Sequence, residues 1–219
     1  MKTPITITIA FSKGGVSKST LAWNAAIALQ MSGLRVALVD IDGQQLTLHK
    51  TAQARVASGY APIHVITASS IDELAAITQS TDYDITIIDA GGYDYDLGRV
   101  AISIADRVVV PISEESTEIL GFTSFLGVLK TVSEKAPIPP VMIVVTRAHA
   151  RSKQFAGIRS VAALWPSATI ASTVMRRRAI YSASMGHGFG VTELAERYPD
   201  ASDEMYRLAR EIVYGEAQS

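Results

Sequence analysis

The sequence predicts a doubly wound α/β fold, with a mostly parallel sheet of about seven strands and helices on both faces, forming a single domain over residues 1–219. Three observations predict it. Short β-branched runs alternate with longer alanine- and leucine-rich runs along the whole chain, with no repeat, low-complexity tract or linker. Several of the short runs are almost continuously apolar, as in Val108-Val109-Val110 and Ile143-Val144-Val145, which suits strands buried on both faces of a parallel sheet. A glycine turn with two lysines, Lys13 to Thr20, lies between the first strand pattern and the first helix pattern.

Strands are expected over 5–11, 35–41, 63–67, 85–89, 107–112, 141–146 and 169–173. Helices are expected over 18–31, 44–58, 71–79, 97–104, 117–133, 152–164, 180–185 and 203–213. Ser32-Gly33 supplies a stop for the first helix, and Pro139-Pro140 closes the connection before the sixth strand. Ligands of such folds lie at the carboxyl ends of the strands, where the polar motifs of this chain also fall.

Lys13-Gly14-Gly15-Val16-Ser17-Lys18-Ser19-Thr20 has the composition of a phosphate-binding loop. Turn N–H groups and a helix N-terminus face anionic oxygens, Lys18 reaches the β- and γ-phosphates, and the Ser19 hydroxyl ligates Mg²⁺. The general pattern has glycine where this chain has Ser12 and Ser17, so the segment fits the deviant form K-G-G-x-x-K-[S/T], with Lys13 as a second lysine. An ordinary glycine turn has no need of two lysines and Ser-Thr at these offsets. Asp40-Ile41-Asp42-Gly43-Gln44 ends the second strand pattern with two carboxylates at i and i+2, on one side of the strand end. Ile87-Ile88-Asp89-Ala90-Gly91-Gly92 ends the fourth with a single aspartate, the type that holds Mg²⁺ through water.

Together these segments resemble the ParA/MinD family of dimer-forming ATPases, and the resemblance covers essentially the whole chain. It implies ATP and Mg²⁺ as cofactors and slow, partner-stimulated hydrolysis. It gives Asp40 the Mg²⁺ water shell and Asp42 the attacking water, in a segment where the family has proline in place of Gly43. It implies that Lys13 reaches across a symmetric homodimer to the partner's phosphates, as an arginine finger in trans does. Thr146-Arg147 matches the position where the family frames the adenine. Met175-Arg176-Arg177-Arg178-Ala179-Ile180-Tyr181, continuing to Gly188-Phe189-Gly190-Val191, resembles the family's R-x-x-Y and later G-x-x-V.

Composition narrows the function further. Hydrophobic residues make up 48% of the chain, enough for a large core, and no apolar stretch approaches the roughly 20 residues of a membrane span. There is no signal-peptide pattern and there are no cysteines, which excludes disulfides and thiolate metal sites and suits a cytoplasmic protein with no membrane partner; association with the nucleoid is what the ParA resemblance implies. The absence of cysteine also argues against the iron–sulfur and metalloid-pump relatives of this group. The four histidines, at 49, 64, 149 and 187, lack metal-ligand spacing. Net charge is −1, yet residues 135–192 hold eight Lys/Arg and no Asp or Glu, leaving a net of −9 elsewhere. That asymmetry suggests a face for a polyanion. The family resemblance implies contacts from this part of the fold to double-stranded DNA without sequence preference, with Arg151, Lys153, Arg176, Arg177 and Arg178 as the expected residues. Arg178 also has a structural reading, through R-x-x-Y.

With the first strand at residue 5, the chain matches the short plasmid-partition ATPases that lack an N-terminal helix-turn-helix. A small centromere-binding protein is then the expected partner. Alternatives are a MinD-like membrane-associated regulator, a positioning or conjugation ATPase with other cargo, and a small-molecule ligase. The first needs a basic amphipathic tail, whereas residues 203–219 carry Asp203, Glu204, Glu211 and Glu216 against Arg207 and Arg210. The ligase needs a substrate pocket that no motif announces. Ser17 poses a conformational question: positive φ there strains a serine, while ordinary φ lets it cap the helix.

Overall fold

A computed structural model describes residues 4–41, 46–91 and 96–215. Asp42, Gly43, Gln44 and Gly92 lie outside the described residues. The described chain runs β1 (Ile5–Ala10), α1 (Lys18–Met31), β2 (Val36–Asp40), α2 (Thr47–Ala57), β3 (Val65–Thr67), α3 (Ile71–Gln79), β4 (Ile85–Ala90) and α4 (Asp96–Ser103). It continues through β5 (Arg107–Ile112), α5 (Ser116–Ser133), β6 (Val141–Val145), α6 (Ala156–Ala162), β7 (Ala168–Ile170) and α7 (Ala179–His187) to α8 (Pro199–Tyr214). A 3₁₀ turn, Val191–Leu194, joins the last two helices. The seven strands form one sheet in the order β3-β2-β4-β1-β5-β6-β7. Every pairing between them is parallel.

Alternation along the strands sorts the core into two layers. Ile7, Ile9, Leu38, Ile85 and Ile87 face α1 and α8, while Val39, Ile88, Val108 and Val110 face α5 and its Phe122 and Phe125. Leu21 to Leu29 are all buried, so α1 is a central helix rather than a half-exposed one. It stops where the sequence predicts. Gly33 takes φ +86°, and the Leu34 N–H turns back to the Leu29 carbonyl at 3.2 Å. α3 starts on a Ser70 hydroxyl that accepts the Glu73 N–H at 3.2 Å.

β1 lies between β4 and β5; the connection leaving β1 runs to β2 in one direction, and the connection leaving β4 runs to β5 in the other. That is the topological switch point of a doubly wound fold, where a crevice opens beyond the strand ends.

Candidate active site

Strand register assembles the site. Asp40 pairs with Asp89 across β2 and β4, and Ile9 pairs with Asp89 across β1 and β4. Paired residues of parallel strands point to the same side, so both carboxylates emerge on the α1 face, level with the end of β1. Both are nearly inaccessible to solvent. The chain leaving β1 turns through Ser12 to Ser17 and enters α1 at Lys18, whose first turn lies over those carboxylates. The resulting cavity of about 420 Å³ is lined by Gly14, Gly15, Ser17, Lys18, Ser19, Thr20, Asp40 and Asp89, with Thr47 from α2 and Met185 from α7 at its sides.

The loop is held open by backbone conformation. Gly15 takes φ +79°, and Ser17 takes φ 73° and ψ 22°, both left-handed. Ser17 therefore occupies the strained alternative. Its hydroxyl makes no cap bond, although its carbonyl accepts the Leu21 N–H at 2.8 Å. Lys18 Nζ donates to the Lys13 carbonyl at 3.0 Å, drawing the start of the loop over its end. Val16 is buried beneath the loop, and its carbonyl lies 3.4 Å from the Thr146 hydroxyl at the end of β6.

Two buried carboxylates and a serine hydroxyl in one cavity form a hard oxygen donor set. Among the described residues no cluster of three or more His, Cys, Asp and Glu is placed to cage a metal. An incomplete oxygen set beside helix N–H groups and a lysine fits Mg²⁺ completed by phosphate oxygens and water.

Other predicted residues have different surroundings. Lys13 donates to the Thr117 hydroxyl in the first turn of α5 of the same chain. Arg147 takes φ +52° and is ion-paired with the buried Glu118 and with Glu115 at 3.4 Å, while its guanidinium also reaches the Ser113 hydroxyl at 3.1 Å. Glu118 in turn accepts the Ser113 N–H at 2.7 Å, which ties α5 to the end of β5.

The three consecutive arginines separate. Arg176 spends its guanidinium on the His149 and Ser152 carbonyls, both at 2.7 Å. Arg178 lies 3.6 Å from Asp200 and 3.4 Å from Glu204. Glu204, buried in α8, also accepts the Arg176 N–H at 2.9 Å and the Tyr181 hydroxyl at 2.7 Å. Arg177, Arg151 and Lys153 are exposed. The acid-free stretch is thus partly neutralised by carboxylates from α5 and α8, which a linear charge count does not register.

Sequence reasoning missed Thr47, Met185, Thr117 and Glu118. No motif marks the first two, which tertiary packing alone brings to the cavity, although Thr117 and Glu118 open a helix directly after β5, at a strand's carboxyl end. It also missed a buried bridge from α2 to the 3₁₀ turn, in which Arg55 meets Glu193 at 2.8 Å and the Gly188 carbonyl at 2.9 Å.

Comparisons with known proteins identify the fold and the family. Residues 7–188 match the family model of the CobQ/CobB/MinD/ParA nucleotide binding domain. The maintenance of carboxysome distribution protein A of Halothiobacillus neapolitanus is 23% identical, over 95% of this chain and 96% of its own. The ATP complex of a Cyanothece McdA variant superposes with a TM-score of 0.72 at 16% identity, covering 100% of both chains. The septum site-determining protein MinD of Pyrococcus horikoshii, complexed with Mg-ADP, superposes with a TM-score of 0.67 at 16% identity, covering 96% of each chain. The chain belongs to the CobQ/CobB/MinD/ParA nucleotide-binding domain family, as a ParA/MinD-type phosphate-loop ATPase.

Proposed function

We propose that this protein is a Mg²⁺-dependent ATPase that closes into an ATP-sandwich homodimer, binds DNA without sequence preference and positions a cargo along it. The observation that carries the reading is the convergence of Lys18, Ser19, Asp40 and Asp89 on one cavity under the N-terminus of α1. Loop N–H groups and Lys18 bind and orient the β- and γ-phosphates. Ser19 would hold Mg²⁺ directly and Asp40 and Asp89 through water, and the bound metal would neutralise charge on the phosphates. Asp42, two residues past Asp40, orients the attacking water, and Lys13 of each protomer reaches the partner's phosphates. Thr146 and Arg147, at the end of β6, frame the base. Val16 and Thr20 support the loop from below and from the first turn of α1.

For DNA, the exposed members of the expected set are Arg151, Lys153 and Arg177, whereas Arg176 and Arg178 are engaged internally and hold the fold. This revises the DNA-facing set expected from sequence. A plasmid, presented by a small centromere-binding protein, is the cargo that the resemblance to ParA-type partition ATPases favours. A protein microcompartment is a second reading, favoured by the similarity to the carboxysome distribution protein over nearly the whole chain. No helix among the described residues is long and apolar enough to cross a membrane, and the acidic α8 offers no basic face to lipid.

Isothermal titration with Mg-ATP tests the reading. Wild type binds, Lys18→Ala loses binding, and Asp42→Ala binds without turning over. Unchanged ATP affinity in Lys18→Ala would remove the phosphate-loop assignment. In filter binding with ATP, Arg151→Ala/Arg177→Ala lowers DNA affinity and flattens the salt dependence by about 0.9 in log–log slope for each DNA phosphate that is no longer neutralised. Equal binding at every salt concentration would place the DNA-binding face elsewhere.

A further inference from the structure

α2 has little apolar hold on the core. Its buried residues are Leu48, Thr51 and Arg55, on one face of the helix, so a single leucine anchors its first turn and a charged side chain anchors its last. The Arg55 guanidinium bonds three separate partners. Its Nε donates to the Ala61 carbonyl, Nη1 to the Gly188 carbonyl at 2.9 Å and to Glu193 at 2.8 Å, and Nη2 to the other Glu193 oxygen at 2.8 Å. The corner that receives Arg55 is itself fixed to α1, the helix of the phosphate loop. The Trp23 indole donates to the Phe189 carbonyl at 3.1 Å. The Asn24 side chain accepts the Val191 N–H at 2.9 Å and donates to the Ser184 hydroxyl at 3.0 Å. Arg55 thus refers α2 to α1, by way of the end of α7 and the 3₁₀ turn.

We propose that Arg55 is a positioning residue for ATP turnover, whose bridge to Glu193 and Gly188 holds α2 in register with the phosphate loop. The inference rests on the ATPase reading and on its assignment of Asp42 to the attacking water. α2 brings Thr47 to the side of the nucleotide cavity, as α7 brings Met185. Asp42 precedes Thr47 by five residues, so α2 is the covalent anchor on its C-terminal side. Lys18, Ser19 and the loop N–H groups belong to the connection from β1 to α1 and meet the phosphates without help from α2. Loss of the bridge therefore leaves ATP affinity in place and slows the step that needs a positioned water. A planar guanidinium paired with both oxygens of a carboxylate fixes direction as well as distance, which a lysine ammonium does not. Arg55 touches no reacting atom and acts only through the placement of α2.

Two variants test it. Arg55→Met/Glu193→Gln removes both charges together, so no buried ion is left unpaired, and the glutamine keeps an acceptor for the Gly190 N–H. Arg55→Lys keeps the charge but not the fork, and carries the comparison should the double variant fail to fold. The chain has no cysteine, so spin labels at Gln53→Cys and Ser182→Cys, exposed positions on α2 and α7, report the distance between the helices in nucleotide-free protein. Electron–electron resonance is expected to give a narrow distance distribution with the native bridge and a broadened one in both variants. In steady-state hydrolysis of Mg-ATP, kcat is expected to fall roughly tenfold or more in the double variant and less in Arg55→Lys, with KM unchanged. Titration with ATP counts the folded sites, so a kcat that falls only in step with stoichiometry marks a purely structural role and overturns the proposal. An unchanged distance distribution in both variants overturns the bridge as the hold on α2. A broadened distribution with wild-type kcat overturns its part in turnover. A wild type that does not hydrolyse Mg-ATP refutes the ATPase reading and the turnover half with it, while the distance measurement still decides the bridge.

Discussion

Ser17→Gly should stabilise the protein without nucleotide present. Ser17 holds φ 73° and ψ 22° at the entry to α1, and its side chain makes no capping bond in return. A residue with a β-carbon in that region costs about 1–2 kcal/mol, because the β-carbon crowds the backbone carbonyl. Glycine removes that cost but loses ~0.5–1 kcal/mol more conformational entropy on folding. The net gain is about 0.5–1 kcal/mol, which for a chain of this length moves the midpoint of thermal unfolding up by ~1–4 °C. Urea titration followed by circular dichroism measures it, provided the slope is unchanged so that the midpoint reports stability. Ser17→Ala is the control: it keeps the β-carbon and the strain, and so should lie close to wild type. A Ser17→Gly protein no more stable than wild type, or a Ser17→Ala protein clearly less stable, would show that the hydroxyl rather than the backbone governs this position.

Two further outcomes follow from packing and titration. Gly188 ends α7 at φ +74°, and a β-carbon there would lie 2.2 Å from the Arg55 backbone nitrogen, so Gly188→Ala must displace α2 or α7. Backbone strain and overpacking together cost about 3 kcal/mol, read as a fall of ~6–12 °C in Tm; a loss under about 1 °C would contradict the close approach. The Tyr181 phenol is held far above its ordinary pKa, first by burial and then by the neighbouring Glu204 carboxylate. A raised folded-state pKa means the native protein keeps a proton that the unfolded chain releases, so this contribution is intact below pH about 10 and is lost as pH rises beyond it. Urea midpoints measured between about pH 8 and 11 should fall less steeply in Tyr181→Phe than in wild type; parallel slopes would remove Tyr181 as the source.

Much of the fold was legible because local signals and tertiary packing agree. The bounds of α1, α3 and β5 fall where periodicity and stop residues put them, since each has an unambiguous apolar pattern and a cap or turn at its end. α8 begins at Pro199 rather than at 203: proline at the first helical position is a start signal, and the apolar periodicity begins only a turn later. The 3₁₀ turn at 191–194 was not foreseen, being set by a Glu193 carboxylate that folds back on the Gly190 N–H at 2.7 Å. At the site, Lys18, Ser19, Asp40 and Asp89 were readable as separate strand-end and loop motifs. Their meeting depends on β4 lying between β1 and β2, a matter of strand order that no local pattern carries. The separate surroundings of the arginine triplet were hidden for a related reason. Three adjacent residues of one charge look equivalent in sequence, but the carboxylates that engage Arg178, and the carbonyls that engage Arg176, come from segments more than twenty residues away.

The central claim is that two copies of this chain close on ATP with Lys13 acting in trans. Sedimentation equilibrium on wild type and Lys13→Ala, each with Mg-ADP and with a non-hydrolysable Mg-ATP analogue, tests it most directly. Wild type should be a dimer with the analogue and a monomer with ADP, and Lys13→Ala should bind the analogue yet stay monomeric. A wild-type mass that does not depend on the nucleotide, or a Lys13→Ala protein that dimerises as wild type does, would contradict it.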